Sequence, residues 1–293
     1  MKFPRILVIR GGAIGDFIMT LPVLAALRER WPAAHLEVLG YPHIAGLAAG
    51  YVNGTRSMSD RALAGFFVPN GILDPNWMDY FASFAAVISY LFDPDEIFAN
   101  NVKRCGVKQY IPGAPKPTDL PAARHYCRAL EALAIYVDAP VPRVNVVAGP
   151  RTRTVVIHPG SGSEKKNWPV EKFGSLGRWV VDELNLPVAV VQGEADEKSV
   201  ARLLAELSPR LVRVLAGLKL PELAVELAQC GVFVGNDSGI THLAAAVGTP
   251  VVAMFGPASP AIWQPPQPNA RVIAFGPTDL PEVRRTMIEL FPR

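Results

Sequence analysis

The sequence predicts an α/β protein built from two Rossmann-like domains, each a parallel sheet covered by helices. Three observations carry that expectation. Short β-branched runs alternate with segments of helical period, the pattern of successive β-α-β units. Glycine-rich turns stand directly after several of those runs. A proline-rich stretch from Asp138 to Pro150, without helical period, interrupts the alternation near the middle of the 293 residues. Single cores stop growing at roughly 250 to 300 residues, so the break reads as a linker between domains 1–148 and 149–293.

The first run, Arg5 to Arg10, is short and β-branched and ends in Gly11-Gly12, as a buried parallel strand does. A helix follows, with Asp16 as its N-cap or first-turn acid and Phe17, Ile18, Leu21, Leu24 and Leu27 as its apolar face; Trp31-Pro32 stops it. Strands are expected at 36–39, 85–92 and around 107–111, and a helix at about 121–134. No period is legible between residues 50 and 80. In the second half the alternation predicts strands at 154–158, 188–192, 232–235, 251–255 and 271–275. Helices are expected at about 169–184, 196–207, 221–228 and 239–247. A last helix at about 280–291 follows the finished sheet and is expected to pack back on the first domain.

Half of the residues are hydrophobic and 19% are charged, which excludes a largely disordered chain. The net charge of +3 is spread without a like-charge block, so nothing calls for nucleic acid. An anionic substrate, a membrane surface or an ordinary slightly basic exterior all fit it. Cys105, Cys127 and Cys230 lie far apart with no C-x-x-C pair, against a disulfide framework or a zinc site. With no signal-peptide pattern and no uninterrupted apolar run of about 18 residues, the expectation is a cytoplasmic protein with at most peripheral membrane contact.

Three motifs sit at strand-to-helix turns. The first is Gly11-Gly12-Ala13-Ile14-Gly15-Asp16. Arg10 occupies the place of the first glycine of G-x-G-x-x-G, and no acid stands near Gly40, which disfavours a nicotinamide enzyme. Asp16 reads either as a helix-start acid or as a carboxylate able to take a proton from a hydroxyl. The second motif, His158 to Pro169, has small residues, hydroxyls and Lys165-Lys166, but not the spacing of a Walker loop. It is either an anion-binding loop or a structural glycine loop. The third, Asn236-Asp237-Ser238-Gly239-Ile240-Thr241-His242-Leu243, aims a helix N-terminus, an anion-binding device, past a polar turn. Ser238 or Asp237 could equally be a plain cap, and His242, one turn on, a structural histidine. Domains of this kind bind ligands at the carboxyl ends of their strands, so a cleft between two such ends is the expected site. The absence of G-x-S-x-G and H-E-x-x-H weighs against a serine hydrolase and a zinc peptidase.

Three sets of residues together resemble glycosyltransferase family 9, the lipopolysaccharide heptosyltransferases. They are Ile6 to Asp16 with Thr20-Leu21-Pro22, His158 to Ser163 with Lys166-Asn167-Trp168-Pro169, and Asn236 to Leu243 with Gly256-Pro257. The resemblance implies a GT-B fold, with two Rossmann-like domains facing across a cleft. It also implies inverting transfer of a heptose from ADP-heptose to a lipid-linked or core-oligosaccharide acceptor, at the inner face of the inner membrane. Asp16 would be the general base, with Gly12 and Gly15 on the acceptor side, and Lys166 would stabilise the departing diphosphate. Ser161 and Gly162 would lie on the donor side, Asp237 would bind the donor sugar, and Ser238, Gly239 and His242 its phosphates. Glu197 and the region of Leu218 would hold ribose and adenine. No cofactor and no obligatory metal are expected. A different nucleotide sugar or acceptor, or a binding protein without turnover, is the alternative. Arg56, Arg61, Lys103, Arg104 and Lys108 would meet an acidic acceptor or simply be solvated.

Overall fold

Arg5–Arg10 forms β1, and its neighbours on both sides explain why the run is apolar throughout: β1 is the middle strand of a five-stranded parallel sheet of order β3-β2-β1-β4-β5. The computed structural model describes residues 4–118 and 121–291. It separates into two units, Met1–Pro140 and Val141–Arg293.

In the first unit the elements are β1, α1 (Ile14–Arg30), β2 (His35–Gly40), α2 (Pro42–Ala45), β3 (Gly54–Ser57), α3 (Pro75–Ala82), β4 (Ala86–Ser89), α4 (Ile97–Arg104), β5 (Gln109–Pro112) and α5 (Ala122–Cys127). The illegible stretch 50–80 holds β3 and α3 with a 3-10 segment, Arg61–Phe67, between them. β3 is a four-residue edge strand without apolar alternation, and 3-10 turns carry no 3.6 period. One local signal was present there: Asp74 caps α3 by accepting from the Trp77 N–H at 3.1 Å, with Pro75 as the first helical residue. Phe66, Trp77, Phe81, Phe84 and Phe98 form the core on that side.

The second unit contains β6 (Val155–His158), α6 (Val170–Arg178), β7 (Val188–Gln192), α7 (Glu197–Ala205), β8 (Val212–Ala216), α8 (Leu220–Ala228), β9 (Val232–Asn236), α9 (Gly239–Ala246), β10 (Val251–Phe255), α10 (Pro260–Trp263), β11 (Ala270–Ala274) and α11 (Asp279–Leu290). Its strands are all parallel in the order β11-β10-β9-β6-β7-β8. β8 was not anticipated, because an edge strand half open to solvent has no continuous apolar run. The helix expected at 169–184 is α6 followed by one π turn, Trp179–Glu183.

One placement differs from the sequence reading. The division falls at 140/141 rather than at 148/149, because the proline-rich segment is hydrogen-bonded into the second unit: Val144 N–H donates to Ala246 O at 3.0 Å, and Gln267 Nε2 to Pro142 O at 2.9 Å. The last helix, α11, buries Val283 and Met287 in the core of the second unit, with contacts to β9, β10 and β11.

In each sheet the chain starts in the middle, winds to one edge, then returns to the other side of the starting strand. The reversal lies between β1 and β4 in the first unit and between β6 and β9 in the second. Ligands of open α/β sheets bind in the crevice at such a reversal. Among the described residues no helix is long and apolar enough to cross a membrane.

Candidate functional site

In the second unit, β6 and β9 are paired neighbours, with His158 opposite Gly235, so the loops that leave their carboxyl ends emerge side by side. Asn236 joins them. Fully buried, it accepts from Trp168 N–H at 2.7 Å and donates through Nδ2 to Pro159 O at 2.9 Å and Gly160 O at 3.3 Å. The Trp168 indole is buried edge-on against Phe173 and donates to Asp279 Oδ2 at 2.8 Å. Asp279 also takes Lys172 Nζ at 2.6 Å and Gly276 N–H at 3.0 Å. Burial alone would raise the Asp279 carboxyl. The bonds from Lys172, Gly276 and Trp168 outweigh it and hold the group below the ordinary carboxylate range. The loop between Ser161 and Asn167 is thereby pinned at both ends.

Lys166 Nζ lies 2.7 Å from Asp237 Oδ2, and the lysine side chain is 40% exposed while that of Asp237 is 6% exposed. The cation therefore stands at the start of α9. Ser238 caps that helix, its Oγ accepting from Thr241 N–H at 3.3 Å. The N–H groups of Gly239 and Ile240, in the first turn, have no intrahelical partner. Lys166, Asp237, Ser238 and Gly239 are thus brought together. His242 is buried one turn along α9, where it is 4% exposed. Ser161 is half-buried, with its hydroxyl donating to Ser163 O at 2.7 Å, and Gly162 faces open space. Glu197 is exposed at the start of α7, and Leu218 is exposed after Gly217 beyond β8. Both lie on the same carboxyl edge, after strands further along the sheet.

The sequence reading missed the His158–Asp196 pair. Both residues are buried; His158 Nε2 is 3.0 Å from Asp196 Oδ2, and its Nδ1 is 3.4 Å from Ser238 Oγ. Gly193 N–H donates to the same Asp196 oxygen at 3.1 Å. Burial raises the Asp196 carboxyl, but the hydrogen bonds from His158 and the Gly193 N–H bring it below its ordinary value. Gly160 has to be glycine, since a Cβ there would lie 1.7 Å from Asp196 Oδ1. A histidine at a strand end and an acid at the next strand-to-helix turn were the available signal.

In the first unit, α1 has Ala13 as its N-cap, without a side-chain bond, so Asp16 sits in the first turn and does not cap. Tyr126 O–H donates to Asp16 Oδ1 at 2.7 Å, and Arg10 Nη2 is 3.2 Å from the same oxygen. Arg10 is buried, lies 4.4 Å over the Tyr126 ring and donates to Pro115 O at 3.2 Å. Burial raises the Tyr126 phenol, Arg10 opposes this and Asp16 adds to it, so Tyr126 remains a neutral donor. Oδ2 of Asp16 points toward Gly12, whose φ of +94° requires glycine and whose side-chain position is 3.4 Å from that oxygen. Gly15 is half-buried in the same turn. A carboxylate anchored by one oxygen, with the other beside a bare backbone, can accept a proton from a bound hydroxyl.

At the ends of β4 and β5 a cavity of about 320 Å³ is lined by Ser89, Asp93, Glu96, Lys103 and Tyr110 among others. Of the scattered cations, Arg56 stacks on Trp77 and Tyr80 at 3.8 and 4.3 Å, and Arg104 bonds Gly71 O and Asn101, so both serve the fold. Among the described residues no group of three or more His, Cys, Asp or Glu is placed to hold a metal ion.

A family model described as glycosyltransferase family 9 (heptosyltransferase) matches residues 130–290. Lipopolysaccharide heptosyltransferase 2 of Escherichia coli is 35% identical over 112 residues, which cover 37% of this chain and 32% of that protein. The chain thus spans about a third of that relative's length in the alignment (32%). Lipooligosaccharide heptosyltransferase 2 of Haemophilus ducreyi is 24% identical over 320 residues, covering 96% of this chain and 91% of that one. The solved structure of E. coli ADP-heptose lipopolysaccharide heptosyltransferase II superposes with a TM-score of 0.76 at 20% identity, over 97% of this chain and 99% of that one. This last likeness is one of fold, two parallel-sheet domains of GT-B type.

Proposed function

The chain belongs to glycosyltransferase family 9, the heptosyltransferases, and on that premise we propose that it transfers a heptose from ADP-heptose to a sugar hydroxyl of a lipopolysaccharide core acceptor, with inversion. One observation carries the donor half: a half-exposed Lys166 ammonium, held 2.7 Å from Asp237, beside the first turn of α9 at the strand-order reversal. Lysine charge and helix N–H groups are donors for a diphosphate. In the free protein Lys166 and Asp237 satisfy each other. A bound donor draws Lys166 to its phosphates and leaves Asp237 to accept from a sugar hydroxyl.

Asp16 Oδ2 takes the proton of the acceptor hydroxyl while Tyr126 and Arg10 hold Oδ1. The acceptor oxygen forms its bond to the anomeric carbon as the carbon–oxygen bond to the β-phosphate breaks, and the electron pair leaves with ADP. Lys166 and the N–H groups of Gly239 and Ile240 meet the charge that develops there, so this reading needs no metal ion. Glu197 and Leu218 are assigned to the nucleoside, Ser161 and Gly162 to the phosphate loop, and His242 to support of α9. The acceptor's lipid places the reaction at the cytoplasmic face of the inner membrane.

Thermal shift with ADP and ADP-heptose, on wild type and Lys166→Ala, tests the donor site. The wild type should be stabilised by both ligands. The variant should lose most of the shift and about 100-fold in kcat, in line with removal of one donor to a developing oxyanion. If no purine or pyrimidine diphosphate shifts the wild type, the assignment is wrong. Transfer products identified by mass from a panel of nucleotide sugars then decide whether the sugar is heptose.

A further inference from the structure

The contacts around His158 have a direction. Asp196 is bonded by the Gly193 N–H and faces His158 Nε2 through the same oxygen, Oδ2. A carboxylate only accepts, so Nε2 carries a proton, and in the neutral imidazole Nδ1 is then an acceptor. The group facing Nδ1 is the Ser238 hydroxyl at 3.4 Å; Ser238 Oγ in turn accepts from Thr241 N–H and lies 3.2 Å from Thr241 Oγ1, a second acceptor within reach of its proton because Thr241 Oγ1 donates to Asn236 O. The chain therefore runs Gly193, Asp196, His158, Ser238, α9, and links the turns after β7, β6 and β9. Its His158 and Asp196 are buried and Ser238 is half-buried, and Gly160 is kept free of a side chain by the Asp196 oxygen that would occupy its Cβ position. Such a chain costs ordering and desolvation at three polar side chains, more than a single helix cap requires.

The geometry points to Asp196 and His158 as positioning residues for glycosyl transfer: by fixing the imidazole tautomer they turn the Ser238 hydroxyl proton inward and present the bare N–H groups of Gly239 and Ile240 to the donor's diphosphate. This inference rests on the donor reading above. It also changes the part played by Ser238, whose hydroxyl is spent on His158 and Thr241 and is not a phosphate donor.

Two measurements test it. Nitrogen-detected NMR of the unliganded protein reads the tautomer directly. Wild type and Asp196→Asn should both show His158 protonated at Nε2 alone, because the carboxamide oxygen can still take both bonds that converge on Oδ2. Asp196→Ala should show mixed tautomers. A wild-type His158 protonated at Nδ1 overturns the proposal, even where no variant folds. The second measurement is nucleotide affinity. ADP binding should weaken about tenfold in Asp196→Ala, adenosine binding should stay within twofold, and Asp196→Asn should lie within threefold of wild type for both. Equal loss of ADP and adenosine, or an Asp196→Asn variant as weak as Asp196→Ala, overturns the positioning role. A wild type that binds no ADP defeats the donor reading instead, while the NMR result still judges the tautomer lock.

Discussion

Asn236→Asp exchanges one amide nitrogen for an oxygen at a fully buried position and leaves the side-chain volume almost unchanged. The effect is therefore one of hydrogen bonding and charge. The new oxygen would face Pro159 O at 2.9 Å and Gly160 O at 3.3 Å, where the amide had donated to both, while only Trp168 N–H would remain as a donor. A buried carboxylate so placed resists ionising, and its pKa rises by roughly 2 to 3 units above the unfolded value of about 3.9. At about 1.36 kcal/mol per unit, the variant should be about 3 to 4 kcal/mol less stable than wild type at pH 7. Because the folded value is raised, the lost stability returns as the pH falls through it: the protonated acid can again donate to a carbonyl, and by pH 5 the deficit should shrink by about 2 kcal/mol. Urea unfolding followed by circular dichroism at pH 7 and pH 5 measures both quantities. A variant within about 1 kcal/mol of wild type at pH 7, or a deficit that grows toward pH 5, would refute the account of Asn236 as the donor that staples the two loops.

Asp16→Asn should lower kcat by at least about 100-fold, the ordinary worth of a general base, with ADP affinity unchanged; steady-state kinetics beside calorimetry would show whether both values move. Tyr126→Phe, which removes one of the two groups on the anchored oxygen of Asp16, should cost about tenfold in kcat with little change in donor KM, and an unaltered kcat would remove Tyr126 from the account. Gly160→Ala must displace the Asp196 carboxylate; it should weaken ADP binding about tenfold, as Asp196→Ala should, and destabilise the fold by about 1 to 3 kcal/mol. Asp279→Asn removes a carboxylate whose folded pKa lies below its ordinary value. That stability is present above the unfolded pKa and lost as the pH falls through the folded one, so the variant should melt at a lower temperature than wild type at pH 7. The gap should close in strong acid, as thermal scans across pH would reveal.

Much of this molecule was legible in one dimension because strand and helix periods report burial locally. β1, β7, β9 and β10 are flanked on both sides by other strands, and their unbroken apolar runs say so. The turns after β1, β6 and β9 carry small and polar residues, and this is why Asp16, Lys166 and Asn236 to Gly239 stood out. Edge strands β3 and β8 did not, since half of each faces water and no alternation survives. The proline-rich stretch read as a linker because proline breaks period, whereas its bonds to Ala246 and Gln267 place it with the second unit.

What the sequence by itself determined was the α/β alternation and the location of polar turns, both set by interactions within a few residues. Tertiary structure alone decided which side chains meet: Tyr126 on Asp16, Asp196 on His158, and Asp279 on Trp168. The order in which parallel strands assemble chooses those partners, and that order is a property of the packed sheet that no local period records.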